Sequence, residues 1–84
     1  MILTWDERKR LSNLDKHGLD FADLTAEFIA GATIVPTKFG RFLAIGGFHR
    51  ALITVVFARL GEEAVAVVSM RPASGKERAH APQA

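Results

Sequence analysis

Residues 41–71 read RFLAIGGF-HR-ALITVVFARL-GE-EAVAVVSMR, three β-prone segments separated by links of two residues. Links this short can only reverse the chain between neighbouring antiparallel strands, because a parallel crossover needs a dozen residues or more. The spacing therefore predicts a meander of strands over Arg41–Phe48, Ala51–Leu60 and Glu63–Arg71. In a chain of 84 residues this meander must be the surface on which everything else packs, within a single domain spanning 1–84. A fourth strand, Ala32–Pro36, is stopped by Pro36 and belongs at an edge, where a missing N–H does least harm.

Ahead of the sheet the pattern is helical. A short β-like run, Ile2–Trp5, leads to Asp6, whose side chain suits an N-cap, and Glu7 favours the positive end of the helix that follows. That helix is predicted over Glu7–His17, with Lys16 and His17 at its negative end and Gly18 taking the left-handed position after it. Asp20 offers a second N-cap, and Phe21, Leu24 and Phe28 keep helical spacing through about Phe28. At the other end Pro72 closes the sheet, Ser74 can cap a short last helix, and HAPQA (80–84) reads as a frayed terminus. The expected fold is α+β in two layers: two N-terminal helices, an antiparallel sheet of about four strands and a short C-terminal helix.

Composition excludes several classes. There is no cysteine, so disulfides and thiolate metal sites are ruled out, in keeping with a reducing cytoplasm. The longest apolar run, Ala51–Ala58, falls far short of the roughly 20 residues of a membrane span, so a soluble cytoplasmic protein with no membrane partner is expected. No histidines and carboxylates stand at metal-ligand spacing, so no metal or other cofactor is expected. The net charge is only +2, but its distribution is uneven. Between Gly31 and Gly61 the chain carries Lys38, Arg41, Arg50 and Arg59 and no acid, which suits a polyanion, although edge strands also use cations against aggregation. A helix-turn-helix reading of the first helices is disfavoured because Asp20 and Asp23 would face DNA.

Two clusters could carry chemistry. At 100° per residue, Lys9, Asn13 and Lys16 form one stripe with His17 on its shoulder, while Leu11 and Leu14 fall on the other side. The plain alternative is a solvated helix face with its last cations near the dipole's negative end. In the last strand, alternation places Ser69 and Arg71 on the face of Val65 and Val67, with Val68 and Met70 opposite. An arginine among valines needs an anionic partner, either Glu77 or a bound phosphate. Arg59 ends its strand on the face of Ile53, Val55 and Phe57, and Arg41 opens the strand before.

Taken together these residues resemble the BrnT family, the toxin half of type II toxin–antitoxin pairs. The N-terminal resemblance lies in Trp5, Asp6, Lys9, Asn13, Lys16-His17-Gly18 and Phe21. In the sheet it lies in Arg41, Ile45–Gly46 and Val55–Val56, and at the C-terminus in Ser69-x-Arg71-x-Ala73 followed by Glu77–Arg78. Ala81 stands where the family often has a tyrosine, with His80 beside it. The resemblance implies a RelE-like ribonuclease fold, RNA cleavage that inhibits translation, and a hetero-oligomer with a BrnA-like ribbon–helix–helix antitoxin. A second reading, motivated by Ala81 and the modest charge, is a toxin-fold module that binds antitoxin or RNA with little catalysis.

Metal-free RNA cleavage needs the 2′-hydroxyl deprotonated, the charge of the phosphorane stabilised and the leaving 5′-oxygen protonated. Arginine holds its proton, so Arg71 suits the electrostatic role, with Lys9, Arg41, Arg59 and Arg78 as RNA contacts. His17 can act as base or acid, and Lys16 can neutralise phosphate or serve as a base if desolvated. Glu77 is a candidate base, with a structural pairing to Arg71 or Arg78 as its alternative.

Overall fold

The computed structural model describes residues 1–80; positions 81–84, including Ala81 and most of the expected frayed tail, lie outside the described residues. The elements run β1 (Ile2–Trp5), α1 (Glu7–His17), a 3₁₀ turn (Phe21–Asp23), α2 (Ala26–Gly31), β2 (Thr33–Pro36), β3 (Arg41–Phe48), β4 (Ala51–Leu60), β5 (Ala64–Pro72) and α3 (Gly75–Arg78). The meander is present with the expected bounds for β3 and β4. His49 and Arg50 both take positive φ, 49° and 69°, as the twist of a two-residue hairpin demands.

The sheet has five strands rather than about four, in the order β1-β5-β4-β3-β2. The addition is Ile2–Trp5, which pairs parallel to β5 from Ile2↔Ala64 to Trp5↔Val67. Four residues give no periodicity that separates a strand from an extended lead-in. Pairing with a residue more than 60 positions away is invisible to local reading.

The second predicted helix is corrected too: it splits in two. Asp20 accepts from the Ala22 N–H and closes only the 3₁₀ turn, then Leu24 is extended at ψ 149°. Thr25 starts α2 afresh by accepting from the Phe28 N–H. Two caps five residues apart outcompete one continuous helix, and the extended step lets Phe21, Leu24 and Ile29 all reach the core. That core also holds Ala44, Ile53, Val55, Phe57, Val65, Val67 and Met70 from one face of the sheet. Gly46 allows the Phe28 ring to approach β3 closely, since a Cβ there would stand 3.2 Å from it.

Helix α1 forms as predicted, with Asp6 accepting from the Arg8 N–H and Gly18 left-handed at φ 68°. Its packing inverts the usual amphipathic pattern. Leu11 and Leu14 are exposed, and the buried residue is Asn13. β1 stops at Trp5, which leaves the edge of β5 open beyond Val67. The Asn13 carboxamide supplies the missing strand partner: Nδ2 donates to the Met70 carbonyl at 2.8 Å and Oδ1 accepts from the Met70 N–H at 3.1 Å. Nδ2 also donates to the Leu19 carbonyl, and Arg10 donates to both Asp20 oxygens, so the turn after α1 is tied down at two points. Among the described residues no helix is long and apolar enough to cross a membrane.

Candidate functional site

The face of the sheet opposite the core carries the first cluster. β4 and β5 pair as Val56↔Ser69 but Phe57↔Val67, so Val68 is an extra residue, a β-bulge. The bulge resets the alternation and corrects the facial assignment made from sequence. Met70 joins Val65 and Val67 in the core, while Ser69 and Arg71 turn to the opposite face. Arg71 is thus not an arginine among valines; it lies directly across from Thr54.

Its partner is Glu77. The chain leaves β5 at Pro72 and α3 folds back over this face, started by a capping box in which Ser74 accepts from the Glu77 N–H and Glu77 accepts from the Ser74 N–H at 2.8 Å. Arg71 Nη1 donates to Glu77 Oε1 at 2.6 Å and Nη2 to Oε2 at 2.7 Å, a two-pronged pair that fixes the guanidinium plane. Thr54, fully buried, donates its hydroxyl to the same Oε1 at 2.9 Å. The Arg71 guanidinium, helped by the Ser74 N–H and the Thr54 hydroxyl, holds the Glu77 carboxyl down at about 2 against the opposing effect of burial. A carboxylate so fully engaged is a feeble base, and of the two sequence alternatives for Glu77 the structure has the pairing with Arg71. Arg71 keeps further N–H donors beyond these two bonds and a third of its side chain in solvent.

The second cluster is an open groove of about 340 Å³ between α1 and the bulged edge of β5. Lys9, Lys16 and His17 line it as the helical stripe implied, joined by Arg8 and Ser12. Val68 and Ser69 form its other wall, so the groove adjoins the strand that carries Arg71. Asn13 also lines it but is committed to backbone partners. Arg41 pairs with Ala58 and stands on the face of Arg71 at the far end of β3, and Arg78, next to Glu77, is the exposed last residue of α3. Arg59 is not brought to this site. It lies on the core side, its guanidinium 5.1 Å from the centre of the Phe42 ring. Sequence reading missed Thr54, whose signal was a lone hydroxyl inside the otherwise apolar run Ala51–Ala58.

A half-exposed guanidinium fixed on the sheet beneath α3, next to a helical groove lined by cations, gives this small α+β protein a surface suited to a polyanion. The comparisons place it more narrowly. The model for the ribonuclease toxin BrnT of type II toxin–antitoxin systems matches residues 5–77, and the chain belongs to that family. The crystal structure of the Brucella abortus ribonuclease toxin BrnT is similar at 50% identity and a TM-score of 0.81, covering 88% of this chain and 99% of that one. No curated protein matches significantly.

Proposed function

We propose that this ribonuclease toxin is a metal-independent endoribonuclease of RelE-like type that cleaves RNA in the cytoplasm and thereby inhibits translation. A BrnA-like ribbon–helix–helix antitoxin neutralises it in a hetero-oligomer. The observation that carries the reading is Arg71 held in one orientation by Glu77, a third of its side chain in solvent and donors left for a phosphate. In the reaction the 2′-hydroxyl attacks the adjacent phosphorus, Arg71 stabilises the charge on the phosphorane, and the 5′-oxygen leaves with a proton. The charge that a metal would otherwise supply comes from fixed cations. Lys16 and His17 are the groups for proton transfer and phosphate neutralisation; Lys9, Arg41 and Arg78 guide the RNA. Glu77 positions Arg71 and does not take the proton, because a carboxyl held at about 2 binds protons too weakly.

Purified protein is expected to cut naked RNA in EDTA, with Arg71→Ala folded but slower by roughly 10²–10³-fold, the usual loss for one donor to a developing oxyanion. His17→Ala should lose activity while remaining folded. Full toxicity of Arg71→Ala would refute the assignment of the central cation, and intact RNA with the unaltered protein would refute the ribonuclease mechanism.

A further inference from the structure

The link between β2 and β3, Thr37-Lys38-Phe39-Gly40, has an unexpected residue at its tip. Phe39 is 89% exposed, far beyond the other exposed apolar side chains. It also sits in the left-handed region at φ 62°, where bulky side chains are strained and Asn or Gly is at ease. Every other phenylalanine is buried or half-buried and packs against another aromatic ring: Phe21 on Trp5, Phe28 and Phe48 on each other, Phe42 on Phe57. Phe39 thus carries two costs to folding, strain and solvent exposure, and no packing among the described residues offsets them. The hairpin itself closes without its ring, through Thr37 N–H to the Arg41 carbonyl at 2.9 Å.

The surroundings say what the ring meets. Lys38 and Arg41 flank it, both exposed, and the chain from Gly31 to Gly61 contains no acid. Just below lies a hollow of about 240 Å³, lined by the apolar Val35, Pro36, Leu43 and Ile45 and by Lys76, Glu77 and His80 of the α3 segment. Glu77 in that lining is already neutralised by Arg71. A projecting ring between cations, stacked on no other ring among the described residues, fits a flat partner carrying negative charge. Single-stranded nucleic acid has that chemistry, with bases that stack and phosphates that pair.

Resting on the ribonuclease reading, we infer that Phe39 is a stacking platform for an unpaired base of the RNA substrate, with Lys38, Arg41 and Lys76 on the flanking phosphates. The platform holds the strand along the hollow walled by Glu77, the partner of Arg71, and so sets affinity and register rather than chemistry.

The test titrates a fluorescent single-stranded 2′-O-methyl oligoribonucleotide of about ten nucleotides, which 2′-hydroxyl attack cannot cleave, into the full chain. Phe39→Asn and Phe39→Leu are expected to bind roughly 5- to 150-fold more weakly, the cost of losing one base–aromatic stack, and Phe39→Trp to bind as well as Phe. The salt dependence should keep its slope, since no charge is removed. Phe39→Asn should melt at the same temperature or higher, the opposite of a structural residue. RNA affinity in Phe39→Leu equal to the original overturns the platform, as does loss of antitoxin binding in Phe39→Asn with RNA affinity intact, which would make the ring a protein contact. No RNA binding by the unaltered chain overturns platform and ribonuclease together. Tight, Phe39-dependent binding without cleavage of ordinary RNA overturns only the ribonuclease reading.

Discussion

The charge on Glu77 holds α3 on the sheet, and Glu77→Gln measures how strongly. The substitution keeps the shape of the side chain and an oxygen for Thr54 and Ser74, but it sets an amide N–H₂ against the Arg71 guanidinium. The carboxyl falls from an ordinary 4.5 to about 2 on folding. At about 1.4 kcal/mol per unit that is worth up to about 3 kcal/mol, and the solvent around Arg71 brings it nearer ~2. The sign follows from the direction. A carboxyl whose pKa is depressed in the folded state stabilises the fold at every pH above its unfolded value, and that stability drains away as pH falls from 4.5 towards 2. Urea unfolding of both proteins across this range should therefore show Glu77→Gln weaker by about 2–3 kcal/mol near neutrality, with the two curves converging at the acid end. Glu7 and Asp20 are also held below their usual range, Glu7 chiefly by Arg10 and Asp20 chiefly by the Ala22 N–H, but they are common to both proteins and cancel in the difference. A gap below about 0.5 kcal/mol near neutrality, or one that persists undiminished at the acid end, would refute this account of the pair.

Three other outcomes follow from the same geometry. Asn13→Ala strands the Met70 N–H and carbonyl at a buried edge and should cost about 2–4 kcal/mol in urea unfolding, with faster hydrogen exchange at the Met70 amide. Arg50→Gly relieves a left-handed non-glycine at φ 69° in the β3–β4 hairpin and should raise the Tm, by the equivalent of about 0.5–1 kcal/mol. Gly46→Ala pushes a methyl to 3.2 Å from the Phe28 ring and should destabilise by about 1–2 kcal/mol, an effect that Phe28→Leu in the same chain would lessen.

Much of this fold is written in local signals. Asp6, Gly18, Ser74 and the His49–Arg50 link are cap and turn residues whose chemistry fixes where elements start and stop, and those boundaries match. What was not legible depends on distant partners. The second helix breaks because Leu24 must reach a core that the sheet builds later in the chain, and β1 becomes a strand only where β5 offers it an edge. For the site, helical geometry gathered Lys9, Lys16 and His17 into one groove, as observed. It could not reveal that Asn13 in the same stripe belongs to the strand edge, because an amide on a helix looks equally suited to solvent. Glu77 was found as the partner of Arg71, but that Thr54 and Ser74 share the same carboxylate emerges only in the folded chain.

The facial placement of Arg71 was the largest reversal, and its physical cause was present in the sequence. Counting by twos through Val65, Val67, Ser69 and Arg71 buries an arginine and a serine and exposes Met70. One extra residue within Val67–Val68 lets Val65, Val67 and Met70 share the core face instead, leaving Ser69 and Arg71 on the side where polar partners and solvent lie. Burying an unpaired guanidinium costs far more than a single bulge, so the bulge was the cheaper solution. Deletion of Val68 tests the point. β4 already presents Val56 and Phe57 as consecutive partners for Ser69 and Val67, so the shortened strand should pair regularly with every face unchanged. The deletion should fold, lose no more than about 1 kcal/mol for one half-buried valine, and retain the acid transition of the Arg71–Glu77 pair. Loss of that transition in a folded deletion protein would mean that the bulge, and not the alternation of core residues, decides where Arg71 points.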